Sequence, residues 1–361
     1  MKVQTQGPFN GSAPIIEVRD VRRSFRSTVK KEGFKGAFNL LVKPEYSTHE
    51  ALKGVSFSIE PGAFVGLIGA NGAGKTTLLK ILAGLIPPSS GEARVLGYEP
   101  FKRPLDFRNQ IALVMGQKAQ LWWDLPAVDA FDLLRAIYEI PHAVYKERLG
   151  TLSSLLGVEK HLTTQIRRLS LGERMKMELI GAILHWPSVI FLDEPTIGLD
   201  VLAAHKLREF LREFNRREKA TIILTSQNME DIEKLCSRIL ILRSGEMIYD
   251  GSPEKFSQTG ERRLRVRLME RPTLEELSTV SGIALTSIKP VAAATDGDES
   301  AAEGGGATGG EEESQAVYFT VTPESMMPTL TKLMARYKIV DMGIEEPGLE
   351  DVIQRLFEGT P

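Results

Sequence analysis

The stretch Gly-Ala-Asn-Gly-Ala-Gly-Lys-Thr-Thr, residues 69–77, decides the fold of this chain. It follows an apolar run at residues 63–68 that predicts a buried strand, and it precedes residues 78–85, whose apolar positions recur at helical spacing. A glycine turn that joins a strand to a helix and ends in Lys-Thr is typical of a loop that binds phosphate groups. A turn without a ligand needs only one or two glycines and no Lys-Thr pair, so the motif is specific.

The residue types of this loop indicate how it would hold a triphosphate. Gly69, Gly72 and Gly74 allow the backbone to approach the phosphates and to direct successive amides at their oxygens. Lys75 is predicted to reach the β- and γ-phosphates, and the Thr76 hydroxyl is predicted to bind Mg²⁺. The nucleotide-binding residues predicted here are Asn71, Gly72, Ala73, Gly74, Lys75, Thr76 and Thr77.

Composition narrows the class of protein. The 361 residues, 42% of them hydrophobic, predict one large or two ordinary globular domains. A net charge of -2 gives no global attraction for nucleic acid, and the single Cys236 excludes an internal disulfide. No apolar run approaches the roughly 20 residues of a membrane-spanning helix. Residues 1–14, predicted to be an N-terminal tail, lack the apolar core of a signal peptide. We therefore expect a soluble chain, or one held at a membrane by a partner.

Apolar strands alternate with helical segments after the loop, which predicts an α/β fold with a mostly parallel sheet. Such sheets bind ligands at the carboxyl ends of their strands. Several of the predicted strands end in polar side chains. The residues expected to share this edge are Lys75, Gln117, Asp193, Glu194 and Gln227.

Two segments interrupt the alternation. Residues 26–52 combine four lysines with apolar side chains, which fits either a basic amphipathic piece or a solvated loop. Residues 118–170 are predicted to form an inserted helical subdomain, because helical periodicity runs through them with a break at Pro141. Trp122 and Trp123 at its start suit either an exposed interface or burial inside the subdomain.

Composition changes near Gly260, which places the first domain at residues 15–260 and a small α+β domain at residues 261–361. Strands are expected at residues 264–268, 317–321 and 338–344, and helices at residues 326–337 and 349–357. Residues 292–315 are almost free of apolar side chains, which predicts a disordered loop inside this domain.

The ordered series of motifs indicates a family. The phosphate loop is followed by Gln117, by Leu-Ser-Leu-Gly-Glu at residues 169–173, by Asp193 and Glu194, and by Gly-Leu-Asp at residues 198–200. This series resembles the nucleotide-binding subunit of an ATP-binding cassette (ABC) transporter over about residues 15–253. The resemblance implies a P-loop NTPase core of RecA-like fold, an antiparallel β subdomain and an inserted helical subdomain. It also implies ATP and Mg²⁺ as cofactors and an ATPase activity.

The resemblance implies roles for single residues. Phe25 matches the aromatic side chain that stacks on adenine, Asp193 the carboxylate that holds Mg²⁺, and Glu194 the glutamate that polarises the attacking water. Gln117 matches the residue that contacts both metal and water. Gln227 stands where the family usually has a histidine, and its uncharged amide can still donate to a γ-phosphate oxygen.

A second set of residues implies a dimer. Ser170 and Gly172 match the signature motif, which closes on the γ-phosphate held by another subunit, and Asp200 matches a loop that crosses the dimer interface. Leu171 and Glu173 stand where glycine and glutamine are usual. The pair is either a homodimer or a heterodimer with a close relative.

Finer features resemble the ATPase subunits of bacterial ABC-2 type exporters, in a branch described as multidrug or viologen exporters. The implied function is ATP hydrolysis that powers a separately encoded permease at the cytoplasmic face of the cell membrane, with no nucleic-acid partner. Two alternatives remain: a soluble cassette ATPase that acts on ribosomes or DNA, and a regulatory nucleotide-binding module with little turnover. The histidines interpreted as structural are His49, His142, His161, His185 and His205.

Overall fold

The computed structural model describes residues 13–28, 46–116, 120–257, 262–290, 315–345, 349 and 352–353. The chain divides into two compact units, Met1–Pro253 (unit 1) and Glu254–Pro361 (unit 2). Gln117 lies outside the described residues, as do residues 29–45 of the lysine-rich segment and nearly all of the loop predicted to be disordered.

The core of unit 1 is a six-stranded sheet in the order β5-β6-β7-β3-β8-β9, in which only β9 runs antiparallel to its neighbour. Its central strands are apolar runs buried on both faces, as parallel sheets require. A smaller antiparallel sheet has the order β2-β1-β4. The strands of unit 1 are β1 (Ile16–Thr28), β2 (Tyr46–Ile59), β3 (Phe64–Ile68), β4 (Ser90–Val95), β5 (Ile111–Met115), β6 (Val189–Asp193), β7 (Thr221–Thr225), β8 (Arg238–Arg243) and β9 (Glu246–Gly251).

Seven described helices of unit 1 connect and cover these strands. They are α1 (Lys75–Leu82), α2 (Leu105–Arg108), α3 (Ala127–Ile137), α4 (His142–Leu156), α5 (Leu171–Ile183), α6 (Val201–Glu218) and α7 (Met229–Leu235). Proline marks three of the starts, since Pro104, Pro126 and Pro141 occupy the N-cap positions of α2, α3 and α4. The motif at residues 169–173 predicts a helix that runs to Trp186, but α5 ends at Ile183 and Trp186 has a left-handed φ of 63°. A short helix, α8 (Pro253–Ser257), spans the division between the units.

Unit 2 is an antiparallel sheet in the order β11-β12-β10-β13 that packs on two helices through its own apolar core. Leu264, Val266 and Leu268 of β10 are buried in that core, and they alternate with arginines. Its elements are β10 (Arg262–Leu268), α9 (Leu274–Ser281), β11 (Ile288–Pro290), β12 (Gln315–Val321), α10 (Pro323–Arg336) and β13 (Ile339–Glu345).

Sequence reasoning missed α9 and β11. A signal for α9 was present, because Thr273 and Glu276 form a capping box at its start. β11 has only three residues, too few for a periodic pattern.

None of the described helices is both long enough and apolar enough to cross a membrane.

Candidate functional site

The phosphate loop joins β3 to α1, as the strand-loop-helix pattern predicts. Gly74 caps α1 with a left-handed φ of 107°, and a Cβ there would lie 2.5 Å from the Ala51 carbonyl oxygen. Only glycine fits both the conformation and the space. The backbone path of the loop therefore requires glycine at this position, in addition to any requirement set by a bound phosphate.

Lys75 is the buried cation of the site, with 6% of its surface exposed. Its Nζ donates to the carbonyl oxygens of Gly69 at 2.5 Å and Ala70 at 3.2 Å. Burial lowers the pKa of Lys75, while the nearby charges of Glu194 and Asp193 act in the opposite direction. The ammonium group is thus held inside the loop beside two carboxylates.

Asp193 ends β6 and connects the phosphate loop with the neighbouring strand. Its Oδ2 accepts a hydrogen bond from Thr76 Oγ1 at 2.9 Å, and its Oδ1 accepts one from the buried Thr225 Oγ1 at 2.7 Å. These contacts place a hydroxyl and a carboxylate together at the carboxyl end of the parallel sheet. Oxygen atoms of this kind are the ligands that Mg²⁺ prefers.

Glu194 projects from the next position with a left-handed φ of 54°. Its backbone N–H donates to both the carbonyl oxygen and the hydroxyl of Thr225, at 3.1 and 3.0 Å. Its Oε1 accepts a hydrogen bond from Gln227 Nε2 at 2.8 Å. A non-glycine residue in this conformation is uncommon and marks a constrained position. Here the two hydrogen bonds of the Glu194 N–H to Thr225 stabilise it.

A cavity of about 240 Å³ lies above the phosphate loop. The predicted residues Phe25 and Glu194 line this cavity. Phe25 is 38% exposed, and the Arg23 guanidinium lies 4.6 Å from the centre of its ring. His49, which the sequence interpretation treated as structural, also lines the cavity, because it pairs with Phe25 across β1 and β2. The loop residues in the wall are Asn71, Gly72, Ala73, Gly74, Lys75, Thr76 and Thr77.

Ser170 caps α5 through a capping box with Glu173. The Ser170 N–H and hydroxyl donate to Glu173 Oε2 at 2.9 and 2.8 Å, and the Glu173 N–H donates to Ser170 Oγ at 3.3 Å. The hydrogen bond from the Ser170 backbone N–H lowers the pKa of Glu173, and the bond from the Ser170 hydroxyl lowers it further. The remaining carboxylate oxygen, Oε1, lies 3.1 Å from His161 Nε2. Glu173, which stands where the family usually has a glutamine, is therefore the capping-box partner of Ser170.

The signature residues pack beside the loop that holds Asp200. A Cβ on Gly198 would lie 2.9 Å from Leu171, and one on Gly172 would lie 3.2 Å from Ala203. Asp200 caps α6 by accepting a hydrogen bond from the Ala203 N–H at 2.7 Å. None of Ser170, Gly172 and Asp200 lines the cavity above the phosphate loop. The structure thus brings the predicted residues together in two groups within one chain.

A second concavity, a groove of about 390 Å³, is lined by residues of α3, α5 and the segment that follows Gln117. Trp122 forms part of its wall with 45% of its surface exposed, and Trp123 is 49% exposed, so both are surface residues. Glu178 of α5 accepts hydrogen bonds from the backbone N–H groups of Gln120 and Leu121 at 3.0 to 3.2 Å. Burial raises the pKa of Glu178 despite these bonds.

Comparisons with known proteins agree with this geometry. The family model described as "ABC transporter" matches residues 52–197. The chain is 33% identical over 210 residues to the ABC transporter ATP-binding protein NatA of Bacillus subtilis, a match that covers 58% of this chain and 85% of NatA. It is 31% identical over 215 residues to the Nod factor export ATP-binding protein I of Cupriavidus metallidurans, a match that covers 60% of this chain and 70% of that protein.

One solved structure, described as the ATP binding subunit of an ABC transporter, superposes with a TM-score of 0.56 at 27% identity. The superposition covers 68% of this chain and 92% of that one. The predicted fold class, an α/β P-loop core with additional subdomains, is confirmed by this likeness.

Proposed function

The chain belongs to the family of ATP-binding subunits of ABC transporters, and we propose that two such chains bind and hydrolyse ATP at shared sites to power a separately encoded exporter permease. One observation carries the proposal. Five of the predicted site residues converge at the carboxyl ends of β3, β6 and β7, where a parallel sheet binds its ligand. They are Lys75, Thr76, Asp193, Glu194 and Gln227.

The phosphates would lie on the loop amides and on Lys75, with adenine against Phe25. Thr76 and Asp193 would hold Mg²⁺, since their oxygens already face each other at 2.9 Å. When bound, the ion would neutralise charge on the phosphates. Gln117, which lies outside the described residues, would be a further ligand on the strength of its sequence match alone.

Hydrolysis requires a water molecule aligned with the γ-phosphate. Glu194 would accept a proton from that water, because its carboxylate lines the cavity and is oriented by Gln227. Gln227 has two N–H donors, so one can stay on Glu194 while the other contacts a γ-phosphate oxygen. An amide cannot carry the positive charge of a histidine, which supports slower turnover than a histidine at this position would give.

The signature residues would complete the site from the second chain. Ser170 and Gly172 stand at the N-terminus of α5, where a helix dipole and backbone amides favour an anion. Because they do not line the cavity of their own chain, a partner chain would supply them. ATP would then favour the closed pair through contacts that the open pair lacks. Asp200 would lie at the same interface.

The permease would dock in the groove beside Trp122. Exposed aromatic side chains in a concave surface suit a protein interface, and α5, the helix that Ser170 caps, forms part of the wall of this groove. The name of one relative, the Nod factor export ATP-binding protein I, supports export. The choice of a permease of the ABC-2 type follows the motif resemblance of the sequence. Docking at such a permease would place the chain at the cytoplasmic face of the membrane.

A tagged pull-down from detergent-solubilised membranes tests the proposal, with the bound proteins identified by mass spectrometry. We expect a multi-span membrane protein in stoichiometric amount. A Trp122→Ser variant should retain less of it, whereas Leu155→Ser, a similarly exposed apolar position on α4, should retain the wild-type amount. Recovery of ribosomes or nucleic acid alone would contradict the transport function.

A further inference from the structure

A buried carboxylate that the proposed mechanism does not use lies behind the catalytic pair. Asp231 of α7 is 0% exposed. Its Oδ2 accepts hydrogen bonds from Thr196 Oγ1 at 2.5 Å and from Ser226 Oγ at 2.6 Å. Its Oδ1 faces Nη1 of the buried Arg208 at 3.3 Å. The two oxygens of Asp231 therefore bind different parts of the fold.

The partners of Oδ2 belong to the two segments that carry Glu194 and Gln227. Thr196 lies two residues after Glu194, in the loop that leads to Asp200. Ser226 immediately precedes Gln227, and its hydroxyl oxygen also accepts the N–H of the residue that follows Gln227, at 3.0 Å. Asp231 thus fixes the chain two residues after Glu194 and one residue before Gln227.

These contacts form a closed ring. Glu194 contacts Gln227 through the side-chain hydrogen bond of 2.8 Å, and both segments return to a single oxygen of Asp231 through Thr196 and Ser226. The Asp231–Ser226 bond is buried and the Asp231–Thr196 bond is partly buried, whereas the Glu194–Gln227 bond is exposed. Hydrogen bonds shielded from water are the stronger ones, so the Asp231 side of the ring fixes the geometry. A displacement of about 1 Å at a reacting group can cost about 100-fold in rate.

The partner of Oδ1 has a different task. Arg208 of α6 is 3% exposed, and its Nη1 forms ion pairs with Glu230 Oε2 at 2.5 Å and with Asp231 Oδ1 at 3.3 Å. The two carboxylates compensate a charge that would otherwise be costly to bury. Removal of the whole Asp231 side chain would therefore disturb stability and site geometry together.

We propose that Asp231 is a positioning residue for ATP hydrolysis, which acts through Oδ2 by fixing the backbones from which Glu194 and Gln227 project. This inference rests on the proposed function. Oδ2 positions the hydrolytic residues through Thr196 and Ser226, whereas Oδ1 stabilises the fold through Arg208. Substitutions of Thr196 and Ser226 therefore test the first role without removing the second.

Steady-state ATPase kinetics of the full-length chain test this assignment. Thr196→Val and Ser226→Ala each remove one hydroxyl donor to Oδ2 and leave the Arg208 ion pairs in place. We expect each to lower kcat about ten-fold, with KM for ATP within about two-fold of wild type because the phosphate loop is unchanged. Thr196→Ser keeps the hydroxyl and should restore kcat. Thr151→Val, the same change at an exposed hydroxyl on α4, is the matched control.

The outcomes are distinct. Wild-type kcat in both Thr196→Val and Ser226→Ala would overturn the inference, and so would an equal loss in Thr196→Ser, because the hydroxyl would then be irrelevant. A fall in thermal midpoint that accounts for the lost activity, with the folded fraction as active as wild type, would also overturn it. A wild-type chain without ATPase activity would overturn the proposed function itself, and that result is obtained before any variant is compared.

Discussion

At the scale of single residues, the carboxylate of Glu194 differs from that of Asp193 by its contacts. Asp193 is engaged by two hydroxyls, whereas one oxygen of Glu194 accepts from Gln227 and the side chain faces the cavity. On this geometry we propose metal binding for the first residue and contact with water for the second. This assignment leads to a prediction for each function of the site.

Glu194→Gln should bind ATP with wild-type affinity and hydrolyse it about 100- to 1000-fold more slowly, because general-base catalysis contributes on that order. Glutamine retains an oxygen that can accept from Gln227, so the site geometry is preserved. Phosphate release at saturating ATP and titration of a fluorescent ATP analogue measure the two properties separately.

Two further variants control this result. Lys75→Ala should lose binding itself by at least about 100-fold, or about 2.7 kcal/mol, since it removes the buried cation of the loop. Glu209→Gln, at an exposed carboxylate of α6, should match wild type in both assays. A Glu194→Gln chain as active as wild type would move the catalytic role to another residue.

At the scale of elements, the start of α5 has two tasks that one matched substitution can separate. Ser170→Ala removes the cap and should lower the free energy of unfolding by about 1 kcal/mol. Thr273→Ala removes an equivalent capping box from α9 in unit 2 and should cost about the same. Only Ser170→Ala should also reduce ATPase activity, because only that cap belongs to the proposed site. Chemical denaturation and phosphate release provide the comparison, and equal ATPase losses would contradict a functional role for Ser170.

His185, just after α5, predicts a pH dependence of stability. Its ring stacks on Tyr138 at 4.0 Å, its Nε2 lies 3.0 Å from the Ile111 carbonyl oxygen, and burial lowers its pKa from the usual 6.5 to about 4. The unfolded chain therefore binds more protons than the folded chain between these values, so stability is present above pH 6.5 and is lost as pH falls toward 4.

The size of this effect follows from the shift. Between about pH 7.5 and pH 5, His185 should cost the folded state about 2 kcal/mol, and His185→Gln should remove that part of the pH dependence. Urea denaturation at the two pH values measures it. Identical pH profiles for wild type and His185→Gln would show that His185 titrates normally in the folded chain.

Elements with strong local signals could be predicted from the sequence, and those defined by tertiary contacts could not. The apolar strands β3, β6 and β7 and the loop before α1 follow directly from their sequence patterns. The left-handed conformation of Glu194 and the place of His49 in the cavity wall depend on strand pairing, which no local pattern encodes. The Asp231 ring likewise joins residues from separate elements.

At the scale of the whole molecule, each unit has an apolar core among its described residues. The core of unit 1 runs from Ile15 to Leu242, and that of unit 2 runs from Leu264 to Leu333. Every described residue of the candidate site belongs to unit 1. The structure divides the chain after Pro253, within α8, whereas the composition change lies near Gly260. Composition alone cannot place such a boundary inside a short helix.

The apolar core within unit 1 predicts that this unit folds and binds nucleotide without unit 2. A chain that lacks residues 260–361 keeps all the strands of the six-stranded sheet, so its affinity for an ATP analogue should stay within about two-fold of the full chain. Thermal unfolding should show one cooperative transition, because unit 1 forms one compact unit. The same truncation with Lys75→Ala is the control for specific binding. Loss of nucleotide binding in a truncated chain that still unfolds cooperatively would contradict this prediction and would mean that the site depends on unit 2.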